Sequence, residues 1–317
     1  MKAEKLQTHH ITDHGTGADG RARRLALSGR SQKMIAAYLF LVPALLGLVV
    51  FRILPIANTF FGSLFALDYS HGGGRVFVGL ANYFNLFSDF MFWNSVKVTL
   101  LFNVIVNPLQ IVLALLLALL LQGNMRTNWV FRSIYILPLG VSITVSSAVW
   151  AILLHPNDGL VNGLLQLVGI QAQPFLTSST QALWCIVLIC SWYGISYWMI
   201  ILLAGLQEIP AQLYEAALID GSSPWNTFWK VTLPLLRNTL LFVVVADTSA
   251  NFLLFAPIYV LTKGGPQATT NTLMYEAYTN VFVQSDIARG LTISTVLLIL
   301  VLIVIRFEFR FFREKTE

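Results

Sequence analysis

The sequence predicts an all-α membrane protein crossing the bilayer six times, and three observations carry that reading. Of its 317 residues, 56% are hydrophobic and only 11% charged, against roughly 45–50% and about 25% in soluble domains. Apolar stretches of spanning length, about 20 residues, run near 35–62, 95–121, 131–154, 182–206, 238–261 and 287–307. These runs of Leu, Val and Ile lack the alternation over about ten residues that marks barrel strands. In hydrocarbon only helices and closed barrels satisfy every backbone group, so helices remain.

The elements follow in order. Residues 1–33 are polar, with Gly15, Gly17 and Gly20 beside His9, His10 and His14. That composition predicts a flexible solvated tail in preference to a metal site. The apolar run from Met34 is longer than a signal-peptide core and lacks a small-residue cleavage site after it, so it reads as an uncleaved first span. The next segment, 63–94, holds "HGGG" (71–74) and the aromatic run "NYFNLFSDFMFW" (82–93), which suits an interfacial helix. Between the third and fourth runs, Pro156 and Gly159 mark a turn before a short amphipathic helix, with His155 a capping or surface residue. These outer loops are either caps over the bundle or contact surfaces for an external partner. Cys185 and Cys190, both in the fourth run, point to different helix faces and read as packing residues, not as a disulfide or metal pair.

Fifteen of the twenty Lys and Arg residues lie in the N-terminal tail, the second and fourth connections and the C-terminal end. The positive-inside rule therefore places both termini and those two connections in the cytoplasm. The formal charge of +5 is this topology signal; no basic stripe interleaved with aromatics marks a nucleic-acid surface.

The fourth connection, 208–237, contains "YEAALIDGSSPWNTFWKVTLPLL" (214–236). One short helix through "AQLYEAALID" (211–220) can end at Gly221. A second opens after Ser222 and Ser223, with Pro224 in its first turn, and runs through "WNTFWKV". Pro234 then restarts the chain into the fifth run. Ala216 and Ala217 leave a low-profile surface beside the aromatic face of Trp225, Phe228 and Trp229, which is the shape of a docking element.

At these spacings Glu215-Ala216-Ala217, Asp220-Gly221 and Leu233-Pro234 resemble the EAA loop of permease subunits in binding-protein-dependent ABC importers. "VGLANYFNLF" (78–87), "FRSIYILPLGVS" (131–142) and "IYVLTKGGP" (258–266) are similar to its carbohydrate-uptake branch, the maltose and glycerol-3-phosphate type. Ser222 departs from the usual Ala. The resemblance implies the type I importer permease fold over 34–317, a coupling loop at 208–237, and a bacterial cytoplasmic (inner) membrane location. It also implies three partners besides membrane lipid: a second homologous permease subunit, two copies of an ABC ATPase subunit, and an extracytoplasmic solute-binding protein. The sequence has no GxxxxGK[ST] phosphate loop, so this chain is expected not to hydrolyse ATP itself, and the resemblance implies a transporter subunit and not an enzyme. ATP and Mg would be bound by the ATPase partners, with no cofactor or metal on this chain.

A carboxylate at membrane depth is costly, which makes Asp247 a functional candidate, with Asn251 four residues on along the same face. Tyr193 and Tyr197 share a face of the fourth run with Gly194 between them, flanked by Trp192 and Trp198, and hydroxyls beside rings suit a sugar. Counted without gaps from the EAA loop, Gly194, Tyr197, Asp247 and Asn251 fall where the similar maltose-type subunit contacts its sugar. The competing reading makes the tyrosines packing residues and Asn251 an interhelical bond. Asp247 in a pathway would disfavour anionic solutes. A permease for an amino acid, peptide or polyamine is the alternative within the resemblance. A secondary carrier is disfavoured because the two halves show no evident internal repeat, and an intramembrane enzyme because no HExxH or GxSxG is present.

Overall fold

The computed structural model describes residues 34, 38–68, 74–123 and 126–313, so the tail 1–33 with its three histidines lies outside the described residues. Among those described, five helices are long and apolar enough to cross a membrane: Tyr38–Gly62, Phe90–Leu121, Ala182–Gln207, Arg237–Leu261 and Ile287–Phe312. They are the first, second, fourth, fifth and sixth spans of a multi-pass membrane protein. The third run is instead a helix pair, Trp129–Gly140 and Ile143–Leu153, bent by 93°. Pro138 and Gly140 sit in a 3-10 turn, Val141 is extended, and Ser142 caps the next helix by accepting the Val145 N–H at 3.3 Å. Pro138 has no N–H to continue the ladder, and Ser142 satisfies a free donor of the restart.

Two compact units divide at Asn58. The described part of the first is helical, with a π-turn at Val49–Ile53 and exposed Phe40 and Phe51. The second, from Thr59 onward, is built on the second and fourth spans. Ala114 and Ala118 are fully buried in one cluster with Met199, Leu202 and Leu206. Lipid tails are as apolar as these side chains, so close packing of small residues, and not expulsion of water, holds such helices together. The second span has 32 residues, about 48 Å at about 1.5 Å each, against a hydrocarbon core of about 30 Å. It therefore projects beyond the core.

At one end of this unit the segment 63–94 forms more than an interfacial helix. An antiparallel hairpin pairs Phe65–Asp68 with Gly74–Phe77, and Phe65 lies opposite Phe77. The helix Ala81–Phe87 follows. Asn82 fastens the two, donating from Nδ2 to the carbonyls of Ser63 (2.8 Å) and Phe65 (2.9 Å). Asp89 then caps the second span, accepting the Met91 N–H at 2.8 Å, and forms an ion pair with Arg289 at the start of the sixth. Arg289 also reaches Glu276 at 3.3 Å, on the helix Leu273–Phe282. The guanidinium holds the Asp89 carboxyl below its usual range, while burial pushes that of Glu276 up.

The expected amphipathic helix beyond Gly159 is Leu160–Leu167. Its buried Asn162 bonds the carbonyls of Pro156 and Gln173 and the Gln173 N–H. His155 is a surface residue whose Nδ1 accepts the Asp158 N–H at 3.3 Å. Cys185 and Cys190 are free, buried and in different packing clusters.

Candidate functional site

Two groups of residues answer to the motifs, one in the loop 208–237 and one among the spans. In the loop, the helix Ala211–Ile219 is closed by Gly221 at φ 70°, a left-handed conformation that only glycine adopts without strain. The Ser222 N–H reaches the Ala217 carbonyl at 2.9 Å and the Gly221 N–H that of Leu218 at 3.1 Å, a full Schellman closure. Ser223 caps the second helix, Pro224–Thr227, by accepting the Asn226 N–H at 3.3 Å. Ser222 has a use of its own, since its hydroxyl accepts from Thr227 at 3.2 Å.

From Phe228 the chain takes a π-helical turn to Thr232 and then the short helix Leu233–Leu235. Pro234 therefore does not restart the chain as expected. It sits in the first turn of that short helix, where its missing N–H costs little, and the fifth span begins after Leu236. A bond from Thr232 to the Tyr214 hydroxyl, 3.3 Å, ties the two arms. Glu215, Ala216 and Asp220 are exposed, Ala217 and Leu233 half-buried, and Pro234 exposed. Leu218 and Ile219 are 79% and 86% exposed and Trp225 69%. The loop is a hairpin of capped helices whose apolar tip is uncovered.

Among the spans, Asp247 is 1% exposed and its Oδ1 accepts from the Trp198 indole at 2.6 Å and from Asn251 at 2.9 Å. The Asn251 amide also donates to Asn107 (2.8 Å) and Gln110 (3.2 Å). Asn107 donates to Thr248, whose hydroxyl passes on to Glu308 of the sixth span at 2.7 Å. Gln110 donates to the Cys190 carbonyl at 3.0 Å. This polar chain links the second, fourth, fifth and sixth spans.

Asp247 and Asn251 are thus brought together. Gly194 joins them indirectly, because a Cβ there would come within 2.7 Å of the Gln110 amide. Tyr197 is 49% exposed and stands edge-on to Trp198, ring centroids 4.7 Å apart, whereas Tyr193 is half-buried outside the bonded group. Buried this deeply, Asp247 offers no exposed oxygen to a passing solute. Asn103, Asn107, Gln110 and Glu308 were missed by sequence reasoning. Their signal was polar spacing of four and three in an apolar run, and one acid near the end of the last span. Among the described residues no group of three or more His, Cys, Asp or Glu could hold a metal.

Residues 110–311 match the model of the family described as "binding-protein-dependent transport system inner membrane component". The sn-glycerol-3-phosphate transport system permease protein UgpA of Agrobacterium fabrum is 34% identical over 284 residues, 89% of this chain and 96% of that protein. The trehalose/maltose transport system permease protein MalF of Thermococcus litoralis is 36% identical over 265 residues, 84% and 89% of the two chains. Among solved structures, a chain of a bacterial alginate ABC transporter, in complex with an alginate pentasaccharide-bound periplasmic protein, superposes with a TM-score of 0.79. That match covers 90% of this chain and 96% of the other at 20% identity, a likeness of fold.

Proposed function

This chain belongs to the family of binding-protein-dependent transport system inner membrane components, and from that premise we propose that it forms half of the translocation path for a sugar or sugar-derived solute. It is a permease subunit of an ABC transporter, a transport protein and not itself an enzyme. The observation that carries the reading is the loop 208–237. Two capped helices closed by Gly221 present Leu218, Ile219 and Trp225 outward, an apolar tip fit to enter a cleft in an ATPase subunit. Two ATPase copies bind ATP and Mg and close; each tip passes that movement to the fourth and fifth spans, between which its loop lies. A binding protein delivers solute to the opposite face, and a second, homologous permease completes the path. Residues 34–317 act as the permease domain and 1–33 as a tail, in a bacterial cytoplasmic membrane with both termini inside.

The solute class is supported by relatives named for glycerol 3-phosphate and for trehalose and maltose. The half-exposed Tyr197 beside Trp198 supplies the rings that sugar C–H faces prefer. In this reading Tyr193 and Tyr197 face the path, and Gly194, Asp247 and Asn251 hold the wall that positions them.

The test is ATPase activity of the native complex in lipid nanodiscs, with and without loaded binding protein, for wild type, Gly221→Val and Gly221→Asn. A Cβ on Gly221 meets no atom within 4 Å, so the substitutions differ mainly in their tolerance of positive φ, worth about 1–2 kcal/mol for Val and little for Asn. Stimulation by the loaded binding protein should be lost in Gly221→Val and kept in Gly221→Asn. Transport on an ion gradient alone, with no ATPase in the complex, would overturn the reading.

A further inference from the structure

We propose that a pocket at the end of the bundle away from the loop 208–237 binds a neutral sugar ring. The pocket has a volume of about 670 Å³ and lies among the cap of the second span, the turn that follows the fifth, the helix Leu273–Phe282 and the start of the sixth. The fifth span begins at Arg237, where that loop ends, and finishes at Leu261, so Lys263 and Gly264 of the pocket stand at its other end. None of the pocket's residues belongs to the polar chain around Asp247 and Asn251. It is therefore a second place, and it rests on the transport reading only in serving the face to which solute is delivered.

The lining names the ligand. Asn280 is 3% exposed; its Nδ2 donates to the Glu276 carbonyl at 2.9 Å, while its Oδ1 has no partner among the described residues. A buried acceptor left unpaired is costly, and a ligand hydroxyl would satisfy it. Tyr275 supplies a ring. It is stacked on Phe255, centroids 6.3 Å apart, and packed on Gly264, where a Cβ would come within 2.8 Å of it. A ring held in this way suits the C–H face of a sugar. Charge disfavours an ion of either sign. Asp89 and Glu276 share Arg289, burial works against the charge on Glu276, and exposed Asp286 and Lys263 are of opposite sign. An anion would meet three acids and a cation two bases. Hydroxyls, in contrast, donate to the acids and accept from the bases. The volume also lies within the range of about 300–1,000 Å³ usual for small-molecule sites.

The native complex in nanodiscs of perdeuterated lipid, without ATP or binding protein, is titrated with glucose, sucrose, maltose and trehalose under saturation-transfer NMR. At least one sugar should bind saturably, and neither sn-glycerol 3-phosphate nor spermidine should displace it. That binding should survive Tyr197→Leu, in the path. Asn280→Leu should weaken it about fivefold, the worth of one hydrogen bond. The same substitution should leave the melting temperature no lower, because the oxygen it removes is unpaired. Tyr275→Leu should also weaken binding about fivefold, while Tyr275→Phe, which keeps the ring, should retain most of it. Binding lost in Tyr197→Leu and kept in Asn280→Leu would overturn the proposal and leave the sugar path standing. Saturable binding of none of the four sugars, or displacement by either ion, would overturn it as well. Sugar held here by a complex whose ATPase ignores loaded binding protein would uphold the pocket and count against the transport reading instead.

Discussion

At the scale of single residues, Asn251 carries the most. Its amide has two hydrogens and three acceptors around it, Asn107, Gln110 and Asp247 at 2.8, 3.2 and 2.9 Å. One hydrogen is therefore shared, and Asn251→Leu would leave two oxygens on the second span and one on its own span without this donor. Interhelical bonds in membranes average about 0.6 kcal/mol and reach about 1.7, so the substitution should cost about 1–2 kcal/mol in equilibrium unfolding from mixed micelles. No measurable loss would mean that the group does not hold the spans. Gly194→Ala, which must displace the Gln110 amide, should combine with it less than additively, since both act on one network. Asp247 and Asn251 were legible in the sequence because four residues separate them on one helix. Asn107 was not, because its partner lies 144 positions away, and only the packing of two spans brings them together.

At the scale of elements, caps and breaks decide where the helices begin. Asp89 does two things, satisfying the Met91 N–H and pairing with Arg289. Asp89→Ala should lower stability by about 1 kcal/mol for the cap together with the ion-pair contribution. Asp89→Asn keeps the cap and loses only the charge. The pairing holds this carboxyl below its ordinary value of 3.8. Its stabilisation is complete above that value and lost as pH falls through the lowered one. The thermal gap between wild type and Asp89→Asn should therefore close on acidification, and a gap unchanged with pH would remove the pairing from the account. The bend in the third run was written in its residues, Pro138, Gly140 and Ser142, but the apolar composition around them outweighed it. At Pro234 the reverse happened, because a π-turn brought the proline to a first-turn position where it breaks nothing. The hairpin at 65–77 was missed because its pairing spans a glycine-rich stretch that reads as a loop.

At the scale of the whole molecule, composition and run length were sufficient for the helical class and for the number of apolar runs, since a bilayer fixes both the length and the backbone satisfaction of each crossing. Reporters fused to the N- and C-termini should fall in the same compartment, the cytoplasm, as the basic residues imply. The 93° bend gives that experiment its meaning. Between the loop 208–237 and the C-terminus lie the fifth and sixth spans, an even number, so those two are on one side whatever the bent pair does. Between the N-terminus and the loop the parity hinges on Trp129–Leu153 alone. If this pair dips in and returns, the number of crossings becomes odd and the N-terminus changes compartment. A single N-terminal reporter thus works as a parity check on one corner of the fold.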